Sequence, residues 1–159
     1  MEFDLINIGI ADMGVAASPN ILRTILGSCV GICIYDPEVK VGGLAHIMLP
    51  YCKKPSPNLK KYADTAIPLM IDEMIKLGSN KNRMVVKLAG GATMFKHSEN
   101  SVVGEIGHNN IVSVREVLSN LKIPILSEDV GGDYGRTIDF YLETGDVKIK
   151  IMGVDPKII

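Results

Sequence analysis

The chain has 159 residues, with 17 Lys and Arg against 18 Asp and Glu, a formal net charge of −1. That length fits a single domain over 1–159, able to bury about 70% of its unfolded surface without staples, and the charge balance lacks the basic excess that a nucleic-acid binder shows. Apolar residues make up 47% but aromatics only 5%, so the core is expected to be aliphatic, while 16 glycines without a collagen period call for tight turns or close backbone approaches.

From the N-terminus, Met1-Glu2-Phe3-Asp4 lacks the basic and apolar regions of a signal peptide. Residues 5–10 form a short apolar run of strand type, and Ala16-Ala17-Ser18-Pro19-Asn20 reads as a turn. Residues 21–26 are β-rich and lead into Gly27-Ser28-Cys29. The apolar runs 30–35 and 41–49 flank Asp36-Pro37-Glu38, the pattern of a hairpin. The longest apolar stretch, 25–35, is about half of the ~20 residues that a membrane span needs, so no membrane insertion is expected. Residues 50–61 hold three prolines and four lysines and read as an exposed loop.

Ala63, Ala66, Ile67, Met70, Ile71, Met74 and Leu77 recur at helical spacing, with Asp64 as N-cap, Gly78 as the stop and Pro68 as a kink near the first turn. Residues 84–88 form a strand before Gly90-Gly91. A second helix fits 110–121, with Ile111, Val114, Leu118 and Leu121 inward, and 123–126 open another strand. Residues 137–142 and 147–152 make a second hairpin around Glu143-Thr144-Gly145. The order predicts an α/β fold: a layered α/β sandwich with mixed, mostly antiparallel strands and two main helices.

The first hairpin carries the chemistry. With residues 36–39 as its loop, Tyr35 pairs with Lys40, Cys33 with Gly42, Gly31 with Leu44 and Cys29 with His46, and opposite Cβ atoms lie about 5 Å apart. An adjacent imidazole can take the thiol proton, and only the thiolate is a competent nucleophile. Gly27 and Ser28 before the cysteine allow a sharp turn whose N–H groups would form an oxyanion hole, and the Thr24 hydroxyl would orient the imidazole as a third member. In this register Gly31 and Gly42 share the Cys29–His46 face and keep it open. A core cysteine beside a satisfied core histidine fits the same spacing, and spacing alone does not separate the two readings.

Cys33 and Cys52 read as structural; the three cysteines are odd in number, and a reduced, cytoplasmic setting suits them. A zinc site from Cys29, Cys33, Cys52 and His46 fails on distance, since positions 29 and 33 of one strand lie ~13 Å apart at about 3.3 Å per residue. Gly90-Gly91 lacks the Gly-Lys-Ser/Thr ending of a phosphate loop and reads as a tight turn near the site. Lys53, Lys54, Lys60 and Lys61 form either a solvated loop or a docking patch for an acidic surface. Met94 and Phe95 read as core or as partner contacts, and Glu128-Asp129 as a turn cap or a site edge.

Leu26-Gly27-Ser28-Cys29-Val30, followed by Ala45-His46-Ile47-Met48-Leu49-Pro50, resembles the CheD family of chemoreceptor glutamine deamidases. Lys61-Tyr62-Ala63-Asp64-Thr65-Ala66, Gly90-Gly91-Ala92-Thr93-Met94-Phe95, Glu128-Asp129-Val130-Gly131-Gly132 and Glu143-Thr144-Gly145 complete a match over nearly the whole chain. The resemblance implies a fold like that of toxin-type Cys-His deamidases. It also implies an enzyme without metal or cofactor that hydrolyses glutamine side chains to glutamate on methyl-accepting chemotaxis receptors through a thioester. Cys29 is then the nucleophile, His46 the general base and Thr24 the third member, with Gly27, Ser28, Gly90 and Gly91 in the substrate and oxyanion neighbourhood. Receptor methylesterase activity and binding and regulation of the CheC phosphatase are further family properties. A mainly CheC- and receptor-binding module with little catalysis is the alternative role. Gly107-His108-Asn109-Asn110 departs from the family pattern, which carries a basic residue before Asn110.

Overall fold

A computed structural model describes residues 2–94 and 105–159. Its strands are β1 (Leu5–Asn7), β2 (Asp12–Ala17), β3 (Ile21–Leu26), β4 (Val30–Asp36), β5 (Val41–Ile47), β6 (Val85–Gly90), β7 (Ile125–Val130), β8 (Arg136–Tyr141), β9 (Val147–Lys150) and β10 (Lys157–Ile158). Two helices, α1 (Ala63–Lys76) and α2 (Ile106–Asn120), accompany them.

Every residue of β4 and β5 is buried, as in strands covered on both faces. Side chains alternate across a strand, so the two faces feed two cores. Val30, Ile32 and Ile34, with Val41, Ala45 and Ile47, pack against Ala66, Met70 and Met74 of α1 and Val114 and Leu118 of α2. Cys33, Tyr35 and Leu44 turn the other way, onto Leu22, Leu26, Ile138, Phe140 and Val147. The result is three layers. The helices cover one sheet, ordered β2-β5-β4-β6-β7, whose far face packs on a second sheet, ordered β1-β3-β8-β9-β10. Pairing is antiparallel except for β1 with β3 and β6 with β7. This is the expected layered α/β sandwich, with its strands divided between two sheets.

Several local expectations change. Residues 12–17 form β2 along β5, from Asp12 opposite His46 to Ala17 opposite Val41; their small and mixed residues carry no strand pattern. The first hairpin turns through residues 37–40, with Lys40 at φ +53, so Asp36 pairs with Val41, Cys33 with Leu44 and Gly31 with His46. The register is therefore two residues along from the expected one. A shift of two preserves the faces, where a shift of one would have turned His46 towards the helices. Gly31 and Gly42 do not hold the face open. A Cβ on Gly31 would stand 2.9 Å from Leu26 Cδ1, and one on Gly42 2.5 Å from Leu142 Cδ2, so both let the sheets pack closely.

Helix α1 ends as expected at Gly78, which has φ +102. Its N-cap is Tyr62 rather than Asp64; the Asp64 carboxylate instead accepts from the Cys52 N–H at 2.9 Å. Pro68 lies on the exposed side and the helix runs through it. Helix α2 starts at Ile106, so Gly107-His108-Asn109-Asn110 is its first turn. Gly107 is packed so tightly that a Cβ there would lie 2.4 Å from the Ala92 carbonyl oxygen.

Candidate active site

Connectors cross between the sheets at one end of the sandwich, and two of them carry the site. Residues 8–11 lead from β1 to β2, and residues 27–29 from β3 to β4. Thr24 comes from β3 in the outer sheet and His46 from β5 in the helix-covered sheet, while Cys29 stands on the second connector. Backbone bonds fix this end: the Ile8 N–H donates to the Arg23 carbonyl at 2.7 Å, and the Ala11 N–H to the His46 carbonyl at 3.0 Å.

The Thr24 hydroxyl oxygen lies 2.8 Å from the Ile8 carbonyl oxygen and 2.7 Å from His46 Nδ1. A carbonyl can only accept, so the single hydroxyl proton goes to Ile8 and Thr24 accepts from the Nδ1–H of His46. That assignment leaves the lone pair on Nε2. Thr24 and His46 are 3% and 5% exposed, so the ring is held by a dry hydrogen bond and not by solvent. Cys29 is half-buried and shares a cavity of about 580 Å³ with both of them. Gly27 and Ser28 line the same cavity, whose walls include Ile10, Ile25 and Met94. Phe95, expected beside Met94, lies outside the described residues.

Burial pushes the Cys29 thiol up and holds the His46 imidazole below its ordinary value of 6.5. Both shifts favour the neutral form of their group, thiol and imidazole. Asp12, opposite His46 on β2, is drawn to solvent in an ion pair with Lys60 at 3.3 Å, and Arg23 is engaged with Asp139 at 2.6 Å. Among the described residues the N–H groups of Ser28 and Cys29 have no acceptor, which makes them the candidate oxyanion donors.

Gly90 and Gly91 do not line the cavity; they brace the cysteine turn from behind. The Gly91 N–H donates to the Cys29 carbonyl at 2.9 Å and the Ala92 N–H to the Gly27 carbonyl at 3.0 Å. Gly90 and Gly91 have φ of +101 and +67, and a Cβ on Gly90 would lie 2.4 Å from the Cys29 carbonyl oxygen. Only glycine serves at such an approach. Arg136, with its side chain fully buried, donates to the Gly131 carbonyl at 2.7 Å and pairs with Asp129 at 3.4 Å, fixing the neighbouring Gly131 turn. The Gly131 N–H in turn donates to the Gly90 carbonyl at 2.9 Å.

The other cysteines lie apart. Cys33 is buried between the sheets, where desolvation pushes its thiol far up, and Cys52 donates to the Lys54 carbonyl at 3.0 Å. Among the described residues no three His, Cys, Asp or Glu side chains gather as a metal-binding group. Lys53 and Lys54 are exposed, Lys60 pairs with Asp12, and Lys61 lies 6.0 Å over the Tyr62 ring. Glu128 is bound bidentately by Arg115 and does not face the cavity residues.

Sequence reasoning missed Asn110. Its side-chain NH2 donates to the Ser28 carbonyl at 3.2 Å and to the Met48 carbonyl at 2.9 Å. The available signal was a polar residue on the apolar face of α2, beside Ile111 and one turn before Val114.

Fold and site together define a three-layer α/β protein in which a threonine-oriented imidazole and a half-buried thiol open into one cavity. Comparison with known proteins narrows that class. The model of the CheD chemotactic sensory transduction family matches residues 48–151. A protein of Caldanaerobacter subterraneus subsp. tengcongensis named "Probable chemoreceptor glutamine deamidase CheD" is 52% identical over 100% of both chains. A protein of the same name from Clostridium kluyveri is 49% identical over 99% of both. The chain belongs to the CheD family. Among solved structures, a Neisseria meningitidis protein matched by the DUF152 family model superposes with a TM-score of 0.54 at 9% identity, over 82% of this chain and 64% of that one, a likeness of fold alone. Among the described residues no helix is long and apolar enough to cross a membrane.

Proposed function

We propose that this protein hydrolyses glutamine side chains of methyl-accepting chemotaxis receptors to glutamate, with Cys29 as nucleophile, His46 as general base and acid, and Thr24 as the group that orients His46. The observation that carries this reading is the Thr24–His46 Nδ1 bond of 2.7 Å at the floor of the cavity that holds Cys29. A docking module needs no imidazole of fixed tautomer beside a thiol, which favours an enzyme over a mainly CheC- and receptor-binding role. The names of the full-length relatives support the receptor substrate.

The chemistry starts from the neutral thiol and imidazole. As the substrate carboxamide enters, His46 Nε2 takes the Cys29 proton and the sulfur bonds to the carboxamide carbon. The oxyanion is held by the Ser28 and Cys29 N–H groups, and Thr24 steadies the imidazolium through Nδ1–H. His46 returns its proton to the departing nitrogen, so ammonia leaves and a thioester remains. His46 then draws a proton from water, whose oxygen attacks the thioester. The carbon–sulfur bond breaks, the proton goes back to the sulfur, and glutamate is released. A glutamyl methyl ester would follow the same route with methanol in place of ammonia.

Ammonia release from a purified receptor cytoplasmic fragment tests the reading. Wild type is expected to release ammonia, and folded Cys29→Ala and His46→Ala to release none. Undiminished release by Cys29→Ala would overturn it. CheC binding, the other family role, is expected to survive Cys29→Ala in a pull-down, since it needs a surface and not a thiol.

A further inference from the structure

We propose that Asn110 is a positioning residue that holds Cys29 and His46 in working register, an inference that rests on the Cys29–His46 reading. The two groups come from different places: Cys29 from the connector after β3, and His46 from near the end of β5. Each therefore depends on the path of its own loop. The Asn110 side chain joins those loops, donating to the carbonyl of Ser28, one residue before Cys29, and to the carbonyl of Met48, two residues after His46. Both partners are acceptors, so the amide orientation is fixed by chemistry: the NH2 faces the loops. The residue is 0% exposed, and among the described residues its Oδ1 is buried without a partner.

An orphaned buried acceptor costs about 1–3 kcal/mol, so an apolar residue would serve the α2 face better if packing were the only demand. Two donors on one short side chain are what the site gains in return. The helix also supplies a stable base. The Ser113 hydroxyl donates to the Asn110 carbonyl at 2.8 Å, and Ile111 and Val114 are rooted in the core beneath the helix-covered sheet. Asn110 thus transmits the position of α2 to both halves of the pair without touching substrate.

The test uses full-length protein in a Cys52→Ser background, so that Cys29 is the accessible thiol. The rate of alkylation by iodoacetamide is followed against pH, together with kcat and KM on the receptor fragment. With His46 beside the thiol, the rate holds a plateau from the imidazole pKa up to the thiol pKa. Asn110→Ala is expected to lower that plateau about tenfold or more and to lower kcat by about 10–100-fold while KM for the fragment holds. Asn110→Asp, of equal size but able to donate at most one bond and only when protonated, is expected to do the same. A folded Asn110→Ala or Asn110→Asp with an unchanged plateau and kcat would overturn the proposal. So would failure of both variants to fold, which would make the residue structural only. If His46→Ala itself leaves the wild-type plateau intact, the fault lies in the Cys29–His46 reading; if His46→Ala abolishes the plateau and the Asn110 variants do not, only the positioning role fails.

Discussion

Cys29 and Cys33 lie four positions apart, and both pack into the layer between the two sheets. Cys33 sits where that layer narrows to a cavity of about 210 Å³ lined by Tyr35, Lys87 and Phe140; it is 2% exposed, and its cross-strand neighbour Lys87 donates to the Ile159 carbonyl. Cys29 sits where the connectors cross and the layer opens into the cavity, with His46 and Thr24 at its floor. Burial raises both thiols, but of the two only Cys29 shares a cavity with an imidazole, that of His46, among the described residues. Reactivity here is a property of position: one layer makes a hydrophobe at its packed end and a candidate nucleophile at its open end.

The largest expected contrast is between alanine variants of the two cysteines. Cys29→Ala is expected to lower ammonia release by roughly 10³-fold or more with the melting temperature nearly unchanged. Cys33→Ala is expected to leave kcat intact and to cost about 1 kcal/mol or more of stability in a denaturant titration, because it opens a void in the packed layer. Equal activity losses in the two variants would dissolve the contrast.

Thr24→Val sharpens the open end. It keeps the side-chain shape but leaves the His46 Nδ1–H and the Ile8 carbonyl without their shared partner, so kcat is expected to fall about tenfold or more. An unchanged kcat would mean that the imidazole needs no orienting group.

Between the two ends the layer answers to volume. Gly31→Ala places a methyl 2.9 Å from Leu26 Cδ1 and 3.0 Å from Ile138 Cδ1, and is expected to cost about 1–3 kcal/mol in the same titration. If Gly31→Ala were neutral, the close sheet packing described at this position would be wrong.

The smallest effect is the pH dependence of His46. Folding holds its imidazole below 6.5, so the folded state binds fewer protons than the unfolded state as pH falls. Stability is therefore expected to be full above about pH 6.5 and to decline as pH drops from there towards the depressed folded value, with ammonia release falling on the same acid limb. Burial holds the ring in its neutral form, and the nearby Asp12 and Arg23 are each paired elsewhere. His46→Gln is expected to flatten that part of the stability profile. A steeper decline in the variant would reverse the sign.

The layered fold was legible because its signals are local. Alternating Ile and Val in β4, the 3.6-residue spacing of Ala63 to Leu77 and the Gly78 stop each show up in a short window. The hairpin register was legible only in parity: placing the loop one residue early moved every pair by two positions yet kept His46 on the same face. What stayed hidden depends on distant chain. Gly31 and Gly42 are small because the opposite sheet presses on them, and Gly90 because the Cys29 carbonyl stands behind it. The Asn110 bridge joins residues 82 and 62 positions away, and no local pattern announces it. Arg136 is buried against Asp129 and Gly131, a placement that its own charge does not suggest.

The central claim is that the open end of the layer converts a carboxamide to a carboxylate through Cys29. Mass spectrometry of receptor peptides after incubation in ¹⁸O-labelled water tests it directly. With wild type, specific glutamine peptides should become glutamate peptides carrying one labelled oxygen, while Cys29→Ala should leave every peptide unchanged. Labelled glutamate formed at the wild-type rate by Cys29→Ala would contradict the account.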